Sequence, residues 1–402
     1  MRAFAHGMFL TFTAAAAIAA GCGGDSSGPG NGAASITGQA GDSQIGPTGA
    51  PLDVPLSFVV LGSGGTPLQG VTVNWTVQSG SAFLTPTIST TNASGVAATT
   101  VTLGGVIGEV EIRGTVAGLA QPVTFHALAV DPCTFARALT FGSVFNAALV
   151  TADCNLGGWF YDFYIFAIAS QQAVTINTAS TAIDTWLDLF GSQGYFAVND
   201  DIVRTQNTNS RIHAILAPGD YLVGANSYSQ GETGAYTILG ATRGQALTAC
   251  EEMFVTFGVT LADGIATTDC VDAGPTYSDR VRIVGEPGAV LRFTQRSAAV
   301  DPVITLYSVR VAQDFSDSLV FVSSNDDSTG TTTDAFLEHT VTQLDLFEVR
   351  FGTAGAGETG AYTASIGGTP APGAPAATGR PRLGGERLPL RSKPLPVGRG
   401  TH

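Results

Sequence analysis

The sequence predicts an all-β chain, built as three tandem antiparallel β-sandwiches between an N-terminal linker and a C-terminal tail. Three observations predict it. The composition suits strands and turns, with 51 Gly in 402 residues, 12% charged residues and one lysine, Lys393. Short runs of alternating apolar and polar residues recur between clusters of Gly, Pro and Asn. Residues 131–368 read as one unit written twice. The stretch 33–368 holds 336 residues, enough for three sandwiches. It carries 11 Arg against 30 Asp and Glu. Such a surface repels phosphate backbones, which argues against a nucleic-acid partner, and it favours divalent cations.

The N-terminus reads as an export signal. Arg2 precedes an apolar run from Met8 to Ala20, too short to span a bilayer comfortably and long enough for a signal-peptide core. The run ends in Ala19-Ala20-Gly21-Cys22, which resembles the lipobox of bacterial lipoproteins, although that family usually has Leu where Ala19 stands. The resemblance implies cleavage after residue 21, lipidation of Cys22 and, with Gly23 next, an outer-membrane or cell-surface location. The alternative is an ordinary cleavage site with an incidental cysteine. Residues 22–34 are a Gly/Ser-rich tether.

In 35–130 the strand Val71-Thr72-Val73-Asn74-Trp75-Thr76-Val77 puts Val71, Val73, Trp75 and Val77 on one face. Val110, Ile112 and Val116 form a second face, interrupted at Gly114. Val123, Phe125 and Ala127 form a third. Pro67-Leu68-Gln69-Gly70, then Trp75-Thr76-Val77, Gly80-Ser81-Ala82 and Thr91-Asn92-Ala93-Ser94-Gly95 follow in an order that resembles a bacterial Ig-like domain of the invasin/intimin type. The resemblance implies an Ig-like sandwich that serves as a stalk.

The duplication covers 131–245 and 246–368. Cys133 matches Cys250, Ala152-Asp153-Cys154 matches Thr268-Asp269-Cys270, and Asn199-Asp200-Asp201 matches Asn325-Asp326-Asp327. Gly231-Glu232-Thr233-Gly234-Ala235-Tyr236-Thr237 recurs unchanged at 357–363. The offset rises from 117 to 126, so the second repeat carries nine extra residues near Val309–Val320, expected in a loop. His213 and His339 fall in comparable places. The strand Asp162-Phe163-Tyr164-Ile165-Phe166, the Asp184–Phe190 strand and the closing Gly-x-Tyr-Thr resemble the bacterial pre-peptidase C-terminal domain. That resemblance implies a jelly-roll-like sandwich in each repeat.

Of five cysteines, Cys133, Cys154, Cys250 and Cys270 fall into two similar spacings, and an exported chain should pair them within each repeat, leaving Cys22. The acidic clusters are the one candidate site. Asp184, Asp188, Asn199, Asp200 and Asp201 in the first repeat, and Asp301, Asn325, Asp326 and Asp327 in the second, offer the oxygen donors of a weak calcium site. Related collagen-binding modules of secreted peptidases bind calcium. The alternative is a polar turn whose side chains satisfy local backbone groups. No His-Glu-x-x-His or Gly-x-Ser-x-Gly pattern occurs, and the expectation is a non-enzyme. Tyr195, Phe196, Tyr228 and Tyr307 are the aromatics to inspect for a binding patch. The Pro/Gly-rich tail 369–402 has six basic residues and Glu386. The reading is a lipid-anchored surface protein that binds or adheres to an extracellular polysaccharide or protein. A passive envelope spacer is the alternative, and a hydrolase stands third.

Overall fold

The computed structural model describes residues 32–370, except 192–193, 200–206, 245–246, 248–252, 273–275, 312–316 and 328–332. Cys22, Asp200, Asp201, Cys250 and the basic tail therefore lie outside the described residues. Within them the chain is strand and turn, with one 3-10 turn at Pro132–Thr134.

The first sandwich pairs a four-stranded sheet with a five-stranded one. The alternating faces meet between them: Val71, Val73, Trp75, Val110, Ile112, Val116, Phe125 and Ala127 are all buried. Phe58, Trp75 and Phe125 form its centre, with ring centroids 5.2 Å apart for Phe58–Trp75 and 5.8 Å for Trp75–Phe125. Gly114 interrupts its strand for a reason of space. A Cβ there would stand 2.5 Å from the Phe58 ring and 3.0 Å from Trp75. At the far end of this domain Gly49 closes on Ala152 of the next, and Arg137 pairs with Asp53 at 3.6 Å.

Each repeat then builds the same two sheets. In the first repeat the order is Arg137–Ala138, Trp159–Ile168, Gly219–Ser227, Thr185–Gly191, Gly194–Asn199. In the second it is Phe254–Val255, Tyr277–Gly285, Asp345–Thr353, Pro302–Val311, Asp317–Asn325. The opposing sheets run Val144–Leu149, Gly234–Arg243, Gln172–Ala179, Arg211–Leu216, and Val259–Ile265, Gly360–Thr369, Val290–Arg296, Ala335–Thr340.

The repeats are fused. Phe254–Val255 pairs in parallel with Ala214–Ile215 on one side and with Arg282 on the other, so one sheet runs through both repeats. The cores interpenetrate. Phe254, Val284, Val309 and Leu346 of the second repeat lie in the first repeat's apolar cluster. Ala173 and Ile215 of the first lie in the second's.

Two expectations change in detail. The nine extra residues do not simply lengthen a loop. They extend a hairpin, whose strands have ten and nine residues against seven and six in the first repeat. Val309, on the extension, is buried in the first repeat's core and Leu319 packs beside it, so the insertion builds the joint. The two histidines are not equivalent either. His213 pairs with Thr175 and His339 with Leu291, one register position apart, which turns them to opposite faces.

Candidate functional site

The same sheet face is finished differently in the two repeats. In the first, the segment that opens the repeat folds over it, held by the Cys133–Cys154 disulfide. Closing that loop is worth about 3 kcal/mol in the chain-entropy model. Beneath it Cys154, Tyr161, Phe163 and Leu222 form a small second core, with Ile165 and Phe190 packed at its margin. Tyr161 and Phe163 stack at 5.5 Å. Cys270 of the second repeat is disulfide-bonded too.

In the second repeat the ladder register puts Arg280 in the place of Phe163, Arg282 in that of Ile165, Glu348 in that of Leu222, and Tyr307 in that of Phe190. Arg350 takes the place of Gly224. Arg280 donates to the Asp272 carboxylate at 2.9 Å, and Arg350 donates to the same oxygen. Arg350 Nε donates to Glu348 at 2.9 Å, and Arg282 stands 3.8 Å from Glu348. The Arg350 guanidinium lies over the Tyr307 ring, 4.6 Å from its centroid. Phe321 meets Tyr307 edge-on at 6.1 Å and is 61% exposed. Among the described residues, three guanidiniums meet two carboxylates on this face. Chemically it sets aromatic rings beside ion-paired guanidiniums and carboxylates.

The acidic clusters look different once placed. Asp188 is buried, accepting from Trp186 Nε1 at 2.9 Å and from Asn226 at 3.1 Å. Asn199 accepts from the Arg211 backbone N–H at 2.7 Å, and Asn325 from that of Phe336 at 3.3 Å. Both asparagines thus tie one sheet to the next strand of the other. Asp184 accepts the Tyr228 N–H through its backbone carbonyl. Asp326 accepts the N–H of Asp327 at 3.1 Å. The Asp301 carboxyl is pushed up by desolvation and by Asp327, Glu358 and Asp326 around it. Glu358 was missed from sequence, although it and Glu232 are the one acid in the motif that recurs unchanged. Among the described residues no three Asp, Glu, His or Cys side chains come close enough together to hold a metal ion.

Of the other aromatics, Tyr228 packs against Trp186 at 6.3 Å, and the side chains of Tyr195 and Phe196 lie outside the described residues. His339 packs edge-on against Phe347 at 5.2 Å, and burial lowers its pKa, as befits a core ring.

A carboxyl–phenol pair crosses each sandwich. Tyr236 donates to Asp162 at 2.7 Å and Tyr362 donates to Asp279 at 2.8 Å. Burial raises the pKa of Asp162, and it raises Asp279 to about 8, with Asp269 and Asp263 adding repulsion. Asp153, near Asp162, is pushed up to about 7 by the same two causes. These positions hold a proton that the unfolded chain releases near pH 4. Their contribution to stability is complete below about pH 4, declines as pH rises, and for Asp279 is gone above about pH 8.

The relatives divide by domain. Residues 53–127 match the family model of the bacterial Ig-like domain (group 1). The first sandwich is similar to that family. Among solved structures the chain is similar to the D00-D0 domain of intimin, at 21% identity and TM-score 0.20, over 25% of this chain and 47% of that one. It is similar to the pre-peptidase C-terminal domain of collagenase from Bacillus anthracis, at 19% and 0.22, over 26% and 94%. It is similar also to invasin, a bacterial integrin-binding protein, at 16% and 0.20, over 79% and 54%. The chain thus spans about half the length of the intimin and invasin structures. No curated protein matches it.

The buried carboxyls yield a direct expectation. Melting temperature falls between pH 5 and pH 9, and Asp279→Asn, which keeps an acceptor for Tyr362, reduces that fall. An unchanged pH slope in the variant would show that Asp279 is already ionised in the fold.

Proposed function

We propose that this is a cell-surface binding or adhesion protein whose second repeat carries the recognition face. The Ig-like domain and the first repeat hold that face away from the cell. One observation supports the reading above others. The first repeat packs this sheet face with Tyr161, Phe163 and Leu222 beneath a disulfide-held segment, whereas at the same register positions the second carries Arg280, Arg282, Glu348 and Arg350 in ion pairs, with Tyr307 and the exposed Phe321 beside them. Sheet positions that carry Phe, Ile and Leu in one copy and Arg, Arg and Glu in the other have been turned from apolar packing to ion pairing. The partner is an extracellular polysaccharide or protein, whose rings or flat amides stack on Phe321 and Tyr307 while carboxylates or hydroxyls meet the guanidiniums. A lipid on Cys22 holds the protein at the membrane.

The purified protein, immobilised, is screened against wall polymers, matrix polysaccharides and matrix proteins. Saturable binding is expected, and Phe321→Ser, at an exposed position that leaves stability within about 0.5 kcal/mol, weakens it at least tenfold. Binding that ignores both Phe321→Ser and Arg350→Ala would remove the face from the account. No binding by folded protein would favour the passive spacer. For the anchor, palmitate labelling of cells is expected to mark the wild-type chain and to leave Cys22→Ser unmarked. Equal labelling of both would exclude the anchor.

A further inference from the structure

Asp317–Asn325 is the last strand of the fused sheet and pairs on one side only, with Pro302–Val311. Between Ser318 and Asn325 it has no charge and no proline, two of the usual protections of a sheet edge, and a β-bulge at Val322 interrupts its ladder. Val320 is 49% exposed and Phe321 more so. Two other free edges are guarded. Ala335–Thr340 carries Glu338 paired to Arg292, and Arg137–Ala138 is two residues long.

We infer that this edge pairs with the same strand of a second copy, antiparallel about a two-fold axis at Phe321. The sequence Ser318-Leu319-Val320-Phe321-Val322-Ser323-Ser324 reads nearly alike in both directions from that residue. The axis sets Phe321 opposite the partner's Phe321, Val320 opposite the partner's Val322, and Ser318 opposite the partner's Ser324. Two chains of formal charge −14 therefore meet over an uncharged stretch. A two-fold contact closes on itself, so it gives a dimer and not a fibre. Adding a strand edge to edge is also how the two repeats already join. Opposed residues in an antiparallel pair share a face. The dimer thus lays the two Arg350–Tyr307–Phe321 faces side by side, a bivalent surface with the gain in avidity that follows.

The test is sedimentation equilibrium of the exported chain without its lipid, from 1 to about 100 μM, a range that brackets dimers of ordinary strength. The wild type is expected to be dimeric at the upper end. Phe321→Lys is expected to weaken association at least tenfold with unchanged melting temperature, and Phe321→Tyr to retain it. As a measurement independent of folding effects, Phe321→Cys is expected to oxidise to a covalent dimer in dilute solution. A monomer throughout, or a dimer indifferent to Phe321→Lys, would overturn the inference.

Discussion

Two ladder rungs, Ala214 with Phe254 and Ile215 with Val255, join the halves of the tandem. Backbone hydrogen bonds of that number contribute about 1 kcal/mol each and could not alone hold two domains together. What makes the joint strong is the apolar surface that the rungs bring into register. Phe254, Val284, Val309 and Leu346 are buried against the first repeat, each contributing roughly 1.5–3 kcal/mol as an upper estimate. Rungs and side chains need one another. Without the pairing the side chains have no fixed place, and without the side chains the pairing is a frayed edge.

The joint also explains how the array ends. Ile215, buried at the joint, has the exposed Thr340 at its register position in the second repeat. Ala167 and Asp220, exposed in the first repeat, hold the places of the buried Val284 and Leu346. Larger apolar residues stand where the repeats meet, and the exposed Thr340, Ala167 and Asp220 stand at the corresponding places elsewhere. That fixes the second repeat relative to the first. Stiffness of this kind suits a binding surface, because less freedom is lost when a ligand docks.

Much of this was legible from residues. Alternation located the strands, self-comparison located the repeats, and the opening cysteines of the first repeat do pair. The joint was not legible, since a strand of two residues carries no periodicity and its partner lies in another repeat. The hairpin extension read as loop for a related reason: insertions are tolerated in loops, and nothing local in Val309–Val320 says that Val309 will enter a neighbouring core. In the Asn-Asp-Asp turns residue type was visible in the sequence and hydrogen bonding was not. Asn199 and Asn325 accept backbone N–H groups. The proposed recognition face rests on the exchange of Phe163, Ile165 and Leu222 for Arg280, Arg282 and Glu348. Alignment of the repeats contained that exchange, but only the register showed that all three lie on one surface.

The central claim is that the two repeats form one continuous sheet. Native-state amide hydrogen exchange tests it most directly, read at Ala214–Ala217 and at Phe254–Thr256. The account predicts protection there comparable to that of the central strands Thr185–Gly191 and Asp345–Thr353. Exchange at the joint as fast as in the exposed turns, with both sandwich centres still protected, would mean two independent domains on a flexible link and would contradict it.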